Sequence, residues 1–408
     1  MLLAGFHDSG KETFGLLPLL TQDCQDRSTG IVVVATRDKL PKLASLLANS
    51  QNRPCLYFDP AADNCPFFNP LAGPEQDVIE AMAEAILDTN PDLPQYFKDI
   101  YAQVLRNVIK VLKRLDRGKG IDGYFSTLAW MSRVLQNNGG QGRELVQRFS
   151  KIPGATEAER QENADIANWF LREYFTEFSK IFEGASGLRT QINALNTHRG
   201  LRGTINPDTE KGEYDSVDFT TCVKDGGVIC ISTAEDMLGR HAVFLSQMLM
   251  ARLRSTVLRS GSARLALYIC NANPLFSPSL LPLLENDGTA VHLSLTASGE
   301  LALRLGKHTG RQFIERTISG MHNVAVFPGL SGGDARMYLD QLSAPDSISA
   351  TDVSYQPYGS ALCRFVHNGV PTPPQFVDLR GPLSSSHTFV DMSNLGHPAF
   401  SEGKENDI

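Results

Sequence analysis

The chain is 408 residues long, 42% hydrophobic and 20% charged, an ordinary composition for a soluble globular protein with room for two buried cores. A formal charge of −7 argues against a surface coated for nucleic acid, although it leaves room for a local basic channel. No apolar run approaches the roughly 20 residues of a membrane-spanning helix, residues 1–4 carry no basic leader, and the seven cysteines lack metal-ligand spacing and read as reduced cytosolic thiols.

Short apolar runs at 1–4, 31–34 and Cys55–Phe58 are bounded by turn residues, which predicts buried parallel strands. Leu40, Leu43, Leu46 and Leu47 predict a helix over 39–49, giving a β-α-β rhythm. From about 73 to 186 the strand signal disappears. Helical spacing marks 74–88, 96–115, 124–135 and 164–182, the last rich in aromatics (Trp169, Phe170, Tyr174, Phe175, Phe178, Phe182) that would suit a docking surface. Residues 73–186 therefore read as an all-helical insertion. Alternation returns from about 187, with strands at 227–232, Leu265–Cys270, 291–296 and 323–327, helices at 241–258 and 333–342, and a hairpin through 361–366 and 375–379. The Ser-, Gly- and charge-rich stretch at 381–408 reads as a disordered tail.

Between the first strand and an apolar helix at 14–20, Gly5-Phe-His-Asp-Ser-Gly10-Lys11 has the G-x-x-x-x-G-K spacing of a phosphate-binding loop. Glycines let the backbone fold tightly and turn its N–H groups to phosphate oxygens, and the lysine reaches the outer phosphates. The nucleotide-binding set is then Gly5, Ser9, Gly10, Lys11, Glu12 and Thr13. Glu12 stands where a magnesium-binding Ser or Thr belongs, Thr13 comes one place late, and Asp8 adds a second carboxylate to an anion site. At close range a unit-charge pair interacts by about 4 kcal/mol under surface-like screening, enough to offset much of what Lys11 contributes.

Phe58-Asp59-Pro60, Asn69-Pro70-Leu71, Gln95-Tyr96-Phe97, the run from Gly320 to Phe327 and Asp334-Ala335-Arg336 follow the loop in an order that resembles the type IV coupling proteins (TraG/TraD type) over residues 1–380. The resemblance implies a RecA-like P-loop NTPase domain with a mainly parallel sheet, in two parts (1–72 and 187–380) around the inserted all-α domain. It also implies ATP and magnesium as ligands, weak ones here, a homo-hexamer or mixed ring, type IV secretion or relaxosome proteins as partners, and single-stranded DNA as cargo. The location that the resemblance implies is the cytoplasm, with the cytoplasmic face of the inner membrane as the family's working place. The family's membrane anchor has no counterpart in the sequence, so attachment falls to partners.

The family's second catalytic strand ends in Asp-Glu; here Leu265–Ile269 runs into Cys270-Asn271, and the γ-phosphate-sensing position falls on Thr296. Other acids near strand ends read as bystanders: Asp59 as a strand cap, Glu235 and Asp236 as a helix start, Glu285 and Asp287 as a solvated turn. His292 reads as a packed histidine and His7 as an exposed one. Arg252, Arg254, Arg259 and Arg264, with Arg304, Lys307, His308, Arg311 and Arg316, read as solvated faces or as the lining of a DNA channel. The sequence supports two functions. One is a degenerate homologue acting as scaffold or substrate-recognition subunit with little or no hydrolysis. The other is an active single-stranded DNA translocase with Glu12 or Thr13 on the metal.

Overall fold

Runs of β-branched residues bounded by turns become the buried centre of a sheet. The computed structural model describes residues 1–90, 92–120, 123–260, 264–271, 280–284, 289–295, 315–318 and 320–380. Its strands are β1 (Leu2–Ala4), β2 (Gly30–Ala35), β3 (Cys55–Phe58), β4 (Val228–Ser232), β5 (Leu265–Cys270), β6 (Thr289–Leu295), β7 (Val324–Val326), β8 (Ser360–Arg364), β9 (Val366–His367), β10 (Val370–Pro371) and β11 (Gln375–Asp378). Among the described residues nine of them form one sheet in the order β11-β8-β7-β1-β6-β5-β2-β4-β3, while β9 and β10 form a small separate ribbon. From β7 to β3 all pairings are parallel; β8 and β11 add antiparallel at the other edge. The fold is α/β, as the alternation predicts.

Side chains alternate across the sheet, so each face has its own core. Leu3, Ile31 and Val33 pack under α1 (Leu17–Gln25) and α2 (Lys39–Ser50). Leu2, Val32, Val34, Phe58, Ile231, Leu267 and Ile269 share the opposite core with the helices that separate β3 from β4. Those are α3 (Glu75–Thr89), α4 (Gln95–Lys119), α5 (Leu128–Gln136), α6 (Gln141–Phe149), α7 (Glu157–Trp169), α8 (Lys180–Gly184), α9 (Ser186–Thr197), α10 (Arg202–Ile205) and α11 (Phe219–Asp225). The apolar stripe of α4, including Val104, Val108, Ile109 and Leu112, is fully buried at this junction. The order then continues with α12 (Glu235–Leu238), α13 (Arg240–Ser260), the short α14 (Leu281–Leu284), α15 (Gly332–Leu342) and α16 (Ala350–Ser354). None of the described helices is long and apolar enough to cross a membrane.

Three sequence expectations change. The helix expected over 124–135 starts at Leu128, because buried Asp116 accepts from the N–H groups of Phe125 and Ser126, and Thr127 then caps the helix. The single helix expected over 164–182 begins earlier, at Glu157 behind the Thr156 cap. It widens into a π turn over Phe170–Tyr174 and breaks before Phe178, whose φ is +61°. The aromatics there do not form a docking surface: Trp169, Phe170, Tyr174, Phe175 and Phe182 stack on one another, and of the aromatic set only Phe178 is strongly exposed. Bulky rings at helical spacing fill an interior here instead of facing solvent. The third change concerns the basic run on α13. Arg252 pairs with Asp215 and the Asn69 carbonyl, Arg254 with Glu84 and Arg259 with Asp77. Those guanidinium groups fasten α13 to α3 and to the loop after β3 instead of forming a free solvated face, while Arg264 beyond the helix is exposed. Arg304, Lys307, His308 and Arg311, and the tail at 381–408, lie outside the described residues.

Asn69-Pro70-Leu71 has a structural task at the same junction. Buried Asn69 takes an N–H bond from Leu71, donates its amide to the Ser126 carbonyl, and donates its own N–H to Asp215. One residue ties the loop after β3 to the segment just before α5 and, through Asp215 and Arg252, to α13.

His292 on β6 stacks on Tyr268 of β5 at 4.6 Å, with Asp23 3.8 Å from Nε2. Burial pushes its pKa down to about 3, whereas an unfolded histidine titrates near 6.5. Its contribution to stability is therefore complete above pH 6.5 and is lost as pH falls toward 3, by about 2 kcal/mol at pH 5. Asp23, pushed up by burial, acts in the opposite direction. Urea midpoints at pH 7 and 5 are expected to converge in His292→Gln and to differ in the natural chain.

Candidate functional site

The strand order locates the site before any motif is invoked. After β6 the chain crosses β1 to form β7 on its other side, and open α/β sheets bind ligands at the carboxyl ends of strands at such a switch. Ala4 lies opposite Leu295, and Leu293 opposite Ile269, so the ends of β1, β6 and β5 are level. Residues 5–11 leave β1 there, and Cys270-Asn271 leave β5 two strands away.

The loop is tight for reasons its residues explain. A Cβ on Gly5 would stand 2.6 Å from Ser9 Oγ and 2.7 Å from Phe327 Cβ, so only glycine permits β7 to close behind it. Gly10 has φ +93° and a Cβ there would meet Phe14 at 2.8 Å. Asp8 also takes a left-handed φ of +57°, within reach of aspartate. Lys11–Leu16 form a π turn that runs directly into α1. The first intrahelical bond is Phe14 N–H to the Gly10 carbonyl, so the N–H groups of Lys11, Glu12 and Thr13 have no intrahelical acceptor. That is an anion cradle by construction.

The side chains diverge from one another. Lys11, 1% exposed, donates its Nζ to the Phe6 carbonyl at 2.9 Å. Burial lowers its pKa, against the opposing pull of Glu12, Cys270 and Asp8. Ser9 is 6% exposed and its Oγ has no partner among the described residues. Thr13 faces solvent. Glu12 instead reaches across to β5, where its Oε1 accepts from the Cys270 thiol at 3.0 Å. Burial and then the Glu12 carboxylate push that thiol's pKa well above its ordinary value. Asn271 sits at φ +52°, a conformation asparagine adopts cheaply, with its Oδ1 buried and without a donor among the described residues. Thr296 lies outside the described residues.

On the outer side of the loop Phe14 meets Tyr358 edge-on at 5.4 Å. Tyr358 follows α16, far from the loop in sequence, and no local signal marks it. It narrows the approach to Gly10. The other acids are remote or occupied. Asp59 ends β3 at the far edge of the sheet and accepts from Tyr57 and the Ala61 N–H. Asp236 pairs with Arg37 at the surface. Glu285 and Asp287 lie outside the described residues.

No family model matches the chain, and no curated protein matches it in sequence. Solved structures do. The plasmid coupling protein TrwB in complex with the non-hydrolysable ATP analogue ADPNP superposes with a TM-score of 0.63 at 14% identity, over 93% of this chain and 84% of that solved chain. TrwB in complex with ADP and Mg2+ gives 0.62 at 14% identity, with the same coverage. The chain has the fold of a conjugative coupling protein. VirB4 of Thermoanaerobacter pseudethanolicus is more distant, with a TM-score of 0.52 at 9% identity over 92% of this chain and 88% of that one. The loop after β1 and the end of β5 stand together at the carboxyl ends of the strands, where an open α/β sheet can take a phosphate ligand and a cation. The residues fit the first ligand and not the second. Gly5, Ser9, Gly10 and Lys11 suit phosphate oxygens, but magnesium asks for an all-oxygen octahedral shell. A thiol and an amide stand at the end of β5, and among the described residues the carboxylate that meets them comes from the loop, at Glu12.

Proposed function

We propose that this chain is a degenerate coupling-protein homologue of a conjugation or type IV secretion system, retaining the nucleotide cradle and having lost most or all ATP hydrolysis. It acts as a scaffold or substrate-recognition subunit, with the helical residues 73–186 as the recognising unit and 1–72 with 187–380 as the motor-type unit. Gly5, Ser9, Gly10, Lys11, Glu12 and Thr13 take the nucleotide, weakly. The reading places the chain in a homo-hexamer or mixed ring with type IV secretion or relaxosome proteins. It brings single-stranded DNA as cargo and reaches the inner membrane through partners. That TrwB was solved with ADPNP and with ADP and Mg2+ supports the ligand class.

The observation that carries the reading is the contact between Glu12 and Cys270, with Asn271 beside it. The carboxylate occupies the place of a hydroxyl, a protonated thiol occupies the place of a carboxylate, and an amide has no basicity with which to take a proton from water. The natural chain and Lys11→Ala are compared for ATP turnover with and without single-stranded DNA. Turnover is expected to be equal in the two and indifferent to DNA, while binding of a fluorescent ADP weakens at least about tenfold in the variant. DNA-stimulated turnover that Lys11→Ala abolishes would instead establish an active translocase with Glu12 at the metal.

A further inference from the structure

Two positions that face each other have exchanged chemical roles. In a phosphate-binding loop the residue after the lysine supplies a hydroxyl, and the end of the strand across the site supplies a carboxylate. Here the loop supplies the carboxylate, Glu12, and β5 supplies the small protic group, Cys270. The side chains meet at 3.0 Å. The exchange keeps one carboxylate in the site and changes the other group from oxygen to sulfur.

We infer that a nucleotide bound at this loop carries a thiophilic divalent cation, held between the Glu12 carboxylate and the Cys270 sulfur, in place of magnesium. This rests on the nucleotide-binding reading above. Thiolate, carboxylate and phosphate oxygens together suit zinc-class ions, whereas magnesium gains nothing from sulfur. A tetrahedral ion with bonds of about 2.3 Å to sulfur and about 2.1 Å to oxygen needs the two atoms about 3.6 Å apart, about 0.6 Å beyond their present 3.0 Å, which side-chain rotation can supply. The thiol gives up its proton as the metal–sulfur bond forms, and the proton leaves to solvent. Two further polar groups, one in the loop and one at the end of β5, stand ready for a ligand. The Ser9 hydroxyl, nine-tenths buried in the loop, has no partner among the described residues, and the buried Asn271 Oδ1 beside Cys270 has no donor there. The Lys11 charge acts electrostatically on both Glu12 and Cys270 and offsets the charge that the pair gains on losing the proton.

The test uses the full chain, fluorescent ADP, and Mg2+ or Cd2+ as the cation. Cadmium is expected to support ADP binding at least about tenfold more tightly than magnesium, with an ultraviolet cadmium–thiolate absorbance that increases on adding ADP. Cys270→Ser, nearly isosteric, is expected to remove both the preference and the ADP-dependent absorbance. Cys65→Ser, in the loop after β3, is expected to keep both. Glu12→Gln weakens ADP binding with cadmium. Equal or tighter binding with magnesium, or a cadmium preference that survives in a folded Cys270→Ser, overturns the inference and leaves nucleotide binding standing. No ADP binding with either cation overturns both.

Discussion

Combining Glu12→Ser, Cys270→Asp and Asn271→Glu is expected to raise magnesium-dependent ATP turnover at least about 100-fold above that of the natural chain. The first two changes return the hydroxyl to the loop and the carboxylate to the end of β5, two strands apart and level in register. They supply oxygen where magnesium asks for it and remove the carboxylate from beside the phosphates. The third supplies a base, and a positioned base contributes about 100- to 10,000-fold. Against this stands the backbone. Asn271 is at φ +52°, where glutamate costs about 1 kcal/mol more than asparagine, a factor of about five. The gain outweighs the strain. Adding Lys11→Ala to the triple variant is expected to return turnover to background. A triple variant that is folded, binds Mg-ATP and remains at background would show that these three positions do not limit hydrolysis.

Arg53→Met is expected to destabilise the sheet unit by about 3–5 kcal/mol, read as a lower urea midpoint and as faster amide exchange in β2 and β4. Arg53 is 4% exposed and has no carboxylate partner among its bonds. Its guanidinium donates to five carbonyls: Asp23, Cys24 and Asp26 at the end of α1, Thr29 before β2, and Gly226 before β4. The bonds to Cys24 and Gly226 are fully buried. Methionine fills much of the volume and supplies no donor, so those acceptors remain in a dry interior at about 1–3 kcal/mol each, while water reaches the others in part. Arg53→Lys recovers only a fraction, because one ammonium cannot span the fork of five acceptors. A loss below about 1 kcal/mol for Arg53→Met would mean that water replaces the guanidinium throughout.

Little in the sequence singles out Arg53. It lies in a turn between α2 and β3, where a basic residue ordinarily faces solvent, and its acceptors are backbone atoms that carry no side-chain signature. The same limit explains Arg252, Arg254 and Arg259, spaced on one helix and therefore read as a charged face. Their destinations, Asp215, Glu84 and Asp77, follow from how α13 lies on α3. The aromatics of 164–182 were legible as a cluster but not as inward-facing, since helical spacing cannot tell a core from a docking face.

Periodicity and turn residues alone determine most of the strands, the long helices and the glycine loop, because these depend on neighbours a few residues away. The sequence alone also determines that Glu12, Cys270 and Asn271 depart from what the resemblance implies. What only the tertiary structure decides is that the departures meet. Glu12 and Cys270 are 258 positions apart in the chain. They come together because β6 alone separates β1 from β5 and the register sets the two strand ends level. Strand order and register arise from packing of the whole sheet, so a contact between the ends of two non-adjacent strands cannot be read from either segment by itself.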